Sequence, residues 1–357
     1  MSIVVDADDW GFNLKQDIQP TSAFENNTWY DSSNDAYMLY HNSHWFEIKR
    51  TPITYGQDYG YSMGGTDHIV FFSIVDRITF PFDSGTASNV GNLSVTKSAS
   101  AGCNSSDYGY AMGGTHASYV SKVERITFPF DSGTATPVGN LSQTKSVRSG
   151  LNSSNYGYAM GGGSSTSFST VDRITFPFNS GTANHVGNLN QTKFIGSGCN
   201  SSNYGYALGG FNVTTFFSVV DRITFPFNTG SSNWVGNLSQ SKVASAACNS
   251  SNYGYAMGGL AAGGAVYYSR IDRITFPFDS GTASNVGNLS QSKYGGAGCN
   301  SSNYGYTMGG RTSNMFSTID RILFPFNAGT AIHIGNLSQS KRSGSACDGT
   351  DFIVLFT

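Results

Sequence analysis

The sequence predicts an all-β chain wound into a β-propeller of four-stranded blades. Three observations carry that prediction: a composition rich in glycine and aromatics but poor in charge, a tandem repeat, and short strand-like segments that recur within each copy. Of 357 residues, 44 are Gly, 14% are aromatic and 12% are charged. The charged share is about half the usual one. Such a chain makes many turns and many Tyr- and Phe-bearing strands. Its aromatic and β-branched content separates it from disordered sequences.

The repeat is read from three phrases. Tyr-Gly-Tyr begins at Tyr59, Tyr108, Tyr156, Tyr204, Tyr253 and Tyr304, in steps of 49, 48, 48, 49 and 51 residues. An acid-Arg-Ile phrase begins at Asp76, Glu124, Asp172, Asp221, Asp272 and Asp320, and a Gly-Asn-Leu phrase ends at Lys97, Lys145, Lys193, Lys242, Lys293 and Lys341. Acid to Lys is always 21 residues, Lys to the next Tyr position always 11, and Tyr to the second Gly always 6. The segment between that Gly and the acid alone varies, holding 9 to 12 residues. Length variation is therefore confined to one loop per unit, on a constant scaffold.

Each unit holds four elements in order. A stretch of small residues, such as SASAG (98–102), comes first. It suits the innermost position, where blades crowd a central axis. YGYAMGG (108–114) follows, stopped by its glycine pair. VDRITFPF (171–178) is the third, its bulky residues suited to the gap between neighbouring blades. SNVGNLS (88–94) is a shorter fourth. Four strands in about 45–50 residues match a propeller blade. A β-helix has shorter units, and an α-solenoid needs helical periodicity.

The blade count expected from the sequence is seven. RSGSACDGTDFIVLF (342–356) reads as the first two strands of a seventh blade, and NDAYMLYHNSHWFEI (34–48) as a hairpin that completes it. N- and C-terminal strands would then close the ring and remove its sheet edges. The alternative is six blades with the hairpin as an N-terminal appendage. The domain reading is an arm or docking tail over 1–28 and a propeller over 29–357.

Cys103, Cys199, Cys248, Cys299 and Cys347 hold one slot of the unit, and Leu151 holds it in a sixth copy. Equivalent points on a ring lie too far apart for the ~4.4–6.8 Å Cα separation of a disulfide. Single thiols on a ring do not converge on a metal either. Free, buried cysteines are expected. The acid, the Arg beside it and the Lys account for 18 of the 42 Asp, Glu, Lys and Arg residues. Adjacent strand residues face opposite sides. The acid and the Arg are therefore expected to find structural partners on the next strand or blade, rather than to form a ring of ligand-binding arginines.

Net charge is −2, with no basic stripe, so nucleic acid is not an expected partner. No apolar run approaches the ~20 residues of a membrane-spanning helix. The N-terminus, MSIVVDADDWGFNLKQ, lacks the basic and apolar regions of a signal peptide. No HExxH, CxxC or GxSxG occurs among or around the six histidines. The glycines of GYAMGGGSS (157–165) end a strand with no helix after them, unlike a phosphate loop. A non-enzymatic protein is expected, with no catalytic residue, no metal and no cofactor.

Binding is expected on the variable segments: 66–75, 115–123, 163–171, 211–220, 260–271 and 311–319. They should emerge together on one face of the ring. Their candidate ligand-binding residues are His68, His116, Tyr119, Phe211, Asn212, Tyr267, Arg311 and Asn314. Aromatic platforms beside hydroxyl and amide groups suit sugars and protein surfaces. Phe72, Tyr119, Phe168, Phe217, Tyr268 and Phe316 share roughly one register, which suggests that some of these aromatics belong to the core.

The phrases YGYAMGG (156–162), STVDRITFPF (169–178) and VGNLSQTK (138–145) resemble the kelch blade. The kelch Trp slot is held here by Asn89, Pro137, His185, Trp234, Asn285 and His333. A closer resemblance is to the kelch-like repeat proteins of marine bacteriophages. TWYDSSNDAYMLYHNSHWFEI (28–48) is also similar to a β segment of phage tail-fibre proteins. The resemblance implies a virion structural or host-attachment protein, made in the host cytoplasm. It would bind other virion proteins through its N-terminal arm, and a host-surface glycan or protein through the propeller. It could be multimeric within the particle. The alternatives are a virion decoration, collar or capsid component without receptor function, and an intracellular kelch-like scaffold.

Overall fold

The computed structural model describes residues 14–16, 28–31, 36–41, 44–48 and 59–349, apart from 195, 213, 264 and 265. Most of the expected arm over 1–28, and residues 350–356 of the expected seventh blade, lie outside the described residues. The chain divides into two units: residues 1–55 with 351–357, and residues 56–350. In the first, strands Leu14–Gln16, Thr28–Asp31, Ala36–His41 and His44–Ile48 form one four-stranded sheet in that order. The hairpin read over 34–48 is present, with Tyr37 opposite Ile48 and His41 opposite His44.

The second unit consists of six four-stranded sheets, each antiparallel throughout. They are numbered here as blades 1 to 6 in chain order of their Tyr-Gly-Tyr strands. The innermost strands of blades 2 to 6 are Ala101–Asn104, Ser149–Asn152, Ser197–Asn200, Ala246–Asn249 and Ala297–Asn300. Blade 1 takes its innermost strand from the chain's other end: Ser345–Gly349 pairs with Tyr59–Thr66 and sets Cys347 opposite Tyr61. Cys103 stands opposite Tyr110 in the same way in blade 2. The strand Ser345–Gly349 contacts the innermost strands of both blade 6 and blade 2.

Two expectations are corrected by this pairing. The propeller has six blades, not seven, and residues 34–48 do not complete a blade. The physical reason is an edge. The first repeat begins at its second strand, so Tyr59–Thr66 would leave a row of backbone donors and acceptors unpaired. The seventh small-residue strand satisfies that row, and needs no blade of its own.

Small residues are required at the axis. Adding a Cβ to Gly102 or Gly150 would overlap the backbone carbonyl of the neighbouring inner strand, at Ala346 and Gly102 respectively. The cysteine slot faces the other way, into the gap between blades. Cys103 Sγ would lie 2.5 Å from a Cβ on Gly157 of the next blade, and Leu151 Cδ1 2.6 Å from one on Gly205. Thiol and glycine are thus complementary halves of one joint. All five thiols are free and buried, and desolvation pushes those of Cys248, Cys299 and Cys347 well above the ordinary range.

Tyrosine bolts the blades together. The second Tyr of the phrase is completely buried in all six copies. Tyr110 stacks on Phe176 of the next blade at 5.3 Å between ring centres, and its hydroxyl accepts from the Phe178 N–H at 3.1 Å. Tyr306 of blade 6 makes the same contact with Phe80 of blade 1, at 4.9 Å. Each stack contributes about 0.5–1.5 kcal/mol beyond its buried area.

The charged residues form a second set of joints, as the sequence suggested. Each Lys reaches the acid of the next blade: Lys97 to Glu124 at 2.9 Å, Lys145 to Asp172 at 3.0 Å and Lys341 to Asp76 at 2.8 Å. Both partners are buried in every pair. The repeated Arg lies over the first Tyr of the phrase in its own blade, on the adjacent strand, as Arg125 does over Tyr108 at 4.3 Å. Its guanidinium donates to the next blade, Arg173 to the Phe227 carbonyl at 3.1 Å and to the Asn228 side chain.

Candidate ligand-binding face

The variable segments hold the turn between the second and third strands and the first part of the third strand, and those turns share one end of the ring with the connectors that enter the innermost strands. Those connectors link to one another around the axis. Val147 N–H donates to the Ala99 carbonyl, Ala99 to Ser343, Ser343 to Gly295, and Gly295 to Ala244, at 2.6–2.9 Å. The result is a backbone belt at the mouth of a narrow axial channel. Ser343 adopts φ 64° within it and Gly295 φ 73°.

Above this belt lies a cavity of about 270 Å³. His68, Phe71, Tyr119 and Phe194 line it together with Ser98, Ser146, Arg148, Arg342 and Ser343, and none of its lining residues is acidic. Its volume lies near the lower end of small-molecule sites, roughly 300–1,000 Å³. Below the belt the channel narrows to about 60 Å³ between small residues. Arg148 lines both spaces.

His68 sits in a tight turn at φ 91°. Thr66 Oγ1 accepts from its N–H, and Asp67 Oδ1 accepts from the N–H groups of Ile69 and Val70. Arg342 Nη2 lies 3.1 Å from His68 Nδ1. Partial desolvation, then the charges of Arg342 and Arg311, pull the imidazole below its ordinary pKa. The shift favours the neutral imidazole, whose Nδ1 can accept from Arg342. Arg342 also donates to the Tyr294 hydroxyl at 3.2 Å. Arg342 also lies 5.5 Å from the Tyr294 ring centre, and Tyr294 carries two further neighbours: Tyr267 stacked at 5.6 Å and Arg311 at 5.6 Å.

The predicted residues therefore fall into different settings. His68 and Tyr119 line the cavity, Tyr119 being 37% exposed. Tyr267 and Arg311 meet at Tyr294, next to it. His116 contacts Phe71 at 5.7 Å, and its Nδ1 lies 2.8 Å from Thr96 Oγ1. Phe211 packs on Phe194 at 5.5 Å and on Phe216 at 5.4 Å. Asn212 forms a turn, its Oδ1 accepting from the Thr214 and Thr215 N–H groups at 3.1 and 2.8 Å. Asn314 is exposed at a turn tip, where its carbonyl accepts from the Thr312 N–H at 3.0 Å.

The shared aromatic register needs one correction. Phe72, Phe217, Tyr268 and Phe316 each stand opposite the second Gly of their pair, but in blade 2 Val120 stands there and Tyr119 pairs with Thr115. The four aromatics are half-buried rather than core.

Arg148, Phe194, Tyr294 and Arg342 were not singled out from the sequence. A signal for them exists. The residue after each repeated Lys is Ser98, Ser146, Phe194, Val243, Tyr294 or Arg342, a position as variable as the loops. Two places further on, Arg148 stands where the other copies have Ser100, Gly196, Ser245, Gly296 and Gly344. Side chains that break an otherwise regular repeat thus collect at one mouth of the axis.

Fold and site together define the class: a six-bladed β-propeller whose irregular side chains ring one end of its axis. No family model and no curated protein matches the chain. Among solved structures it is similar to one described as "Structure of YjhT", with a TM-score of 0.58 over 71% of this chain and 88% of that one. The two sequences are 12% identical, so the likeness is one of fold.

Proposed function

We propose that this is a non-enzymatic attachment propeller of a phage virion that binds a host-surface glycan at the variable-loop face. One observation carries the reading: side chains that depart from the repeat gather at the axial cavity, where Arg148, Phe194, Tyr119, His68 and Arg342 replace the scaffold's repeated small residues and turns. The cavity's rings, hydroxyls and guanidiniums are groups that hold and orient a sugar. The placement on a virion rests on the resemblance of the repeats and of residues 28–48 to phage proteins. Two measurements test the proposal. Mass spectrometry of purified particles is expected to find the protein, and the labelled protein is expected to coat host cells and lose that binding when surface polysaccharide is stripped. Absence from the particle would refute the virion assignment, and unchanged coating of stripped cells would refute the glycan.

A further inference from the structure

We infer that the axial cavity holds an oxyanion, and that its ligand is an acidic sugar whose carboxylate lies between Arg148 and Arg342. This deepens the proposed function and rests on it for the sugar. The anion itself is argued from charge. Arg148 lines the cavity and Arg342 joins it there. Gly295 bridges the two: a Cβ placed on it would lie 3.4 Å from Arg342 Cβ and 3.5 Å from Arg148 Nη1. Arg311 adds a third guanidinium across Tyr294. Among the described residues none of these three arginines has an ion-pair partner; of the repeated arginines, Arg77, Arg222 and Arg321 each meet an Asp, and Arg125, Arg173 and Arg273, set singly on separate blades, each meet an Asn. A chain of net charge −2 has thus collected uncompensated positive charge at one point.

The neighbours of this cluster are neutral. Arg148 Nη2 donates to Ser343 Oγ, and Arg342 reaches His68 Nδ1 and the Tyr294 hydroxyl. The Nε of Arg148 and that of Arg342 are buried without an acceptor among the described residues. Burial, and then the charge of Arg342, pulls the Arg148 guanidinium below its ordinary range, the direction expected of a buried cation without a counter-ion. An oxyanion offers lone pairs to several of these donors at once, and charge-assisted bonds to arginine are the strong ones. Tyr119, Phe71 and Phe194 stand around the same space as apolar faces. A carboxylate joined to a pyranose satisfies both halves of the site, whereas a free inorganic anion satisfies one.

The test uses the full chain and isothermal titration with galacturonate, galactose and inorganic phosphate. Galacturonate is expected to bind, more weakly as salt rises, and galactose to bind at least roughly tenfold more weakly, the worth of one or two charge-assisted hydrogen bonds. Arg342→Gln and Arg148→Met should each reduce galacturonate affinity by roughly tenfold or more, with unliganded melting temperatures unchanged or raised, because each removes an unpaired charge. Either variant suffices if the other does not fold. Equal binding of galactose and galacturonate, or full affinity in both variants, overturns the inference even if host cells are still coated. Phosphate bound more tightly than galacturonate overturns the sugar carboxylate and leaves a phosphate-bearing ligand in its place. Galacturonate bound by a protein that coats no host cell supports the anion site and sinks the attachment function.

Discussion

At the scale of single residues, the buried ion pairs and one buried acid carry the sharpest expectations. Lys341 and Asp76 join blade 6 to blade 1 with both side chains out of water. Desolvation pulls the lysine below its ordinary pKa, and Asp76 raises it part of the way back. Lys341→Met leaves a buried carboxylate alone and should cost about 3–5 kcal/mol in a denaturant titration. Adding Asp76→Leu should recover most of that loss, because two apolar side chains carry no desolvation penalty. A double variant no more stable than the single one would mean that the pair contributes more than mutual compensation. Asp348 presents the opposite case. It occupies the slot of Asn104, Asn152, Asn200, Asn249 and Asn300, and the side-chain oxygens of Asn152, Asn200, Asn249, Asn300 and Asp348 itself each accept from the backbone N–H of a neighbouring inner strand. Burial raises its carboxyl to about 8, while the Asn300 N–H lowers it in part. A carboxyl with a folded pKa above its unfolded value binds its proton more tightly when folded. The stability it allows is therefore full below the unfolded pKa near 4 and is lost as pH rises toward 8. Asp348→Asn keeps the acceptor and removes the ionisation. Its melting-temperature gain should be small at pH 4 and should grow to a plateau above pH 8, equivalent to a few kcal/mol.

At the scale of the element, the joint between innermost strand and neighbouring blade decides the repeat's spelling. The glycine between the two tyrosines exists because a thiol or a leucine from the previous blade fills its side-chain position. At Gly157 a methyl group would meet Cys103 Sγ at 2.5 Å and Phe176 Cζ at 3.0 Å. Gly157→Ala should destabilise by about 1–3 kcal/mol through overpacking. Combining it with Cys103→Ala moves the volume across the joint, and part of the loss should return in thermal unfolding. If the two substitutions simply add, the residues do not share one space. The same joint explains why Leu151 can stand in the cysteine slot: the position takes a side chain that reaches across to glycine, and thiol chemistry is not required.

At the scale of the whole molecule, the first and last repeats form one sheet. Strand Ser345–Gly349 covers the inner edge of Tyr59–Thr66, and Tyr306 stacks on Phe80 across the same seam. Deleting residues 343–357 should bare that edge and the completely buried Tyr61, and size-exclusion chromatography should show aggregate in place of the species formed by the full chain. Deleting residues 1–55 should leave the melting of the propeller close to that of the full chain, because all six blades are complete within 56–350. A large loss of melting temperature in that fragment would mean that the N-terminal sheet supports the blades.

The four-stranded blade, the free cysteines, the inner position of the small residues and the inter-blade role of the charges were all legible in the sequence. Each is a local rule applied repeatedly, so six copies read like six measurements of one environment. The blade count was not legible, because 342–356 presents the same small-residue pattern whether it opens a new sheet or completes an old one. Only pairing with Tyr59–Thr66 decides between them, and that pairing joins opposite ends of the chain. The candidate site divides in the same way. His68, Tyr119, Tyr267 and Arg311 were visible as variation within loops, whereas Arg148, Phe194, Tyr294 and Arg342 lay in connectors read as scaffold. Closing the ring brings Arg342, which follows blade 6, beside His68 in blade 1, 274 positions away. The sequence determined the unit by itself, since strands, turns and joints obey short-range periodicity. Tertiary structure decided how many units close the ring and which exceptions meet at its axis, since both depend on contacts between residues far apart in the chain.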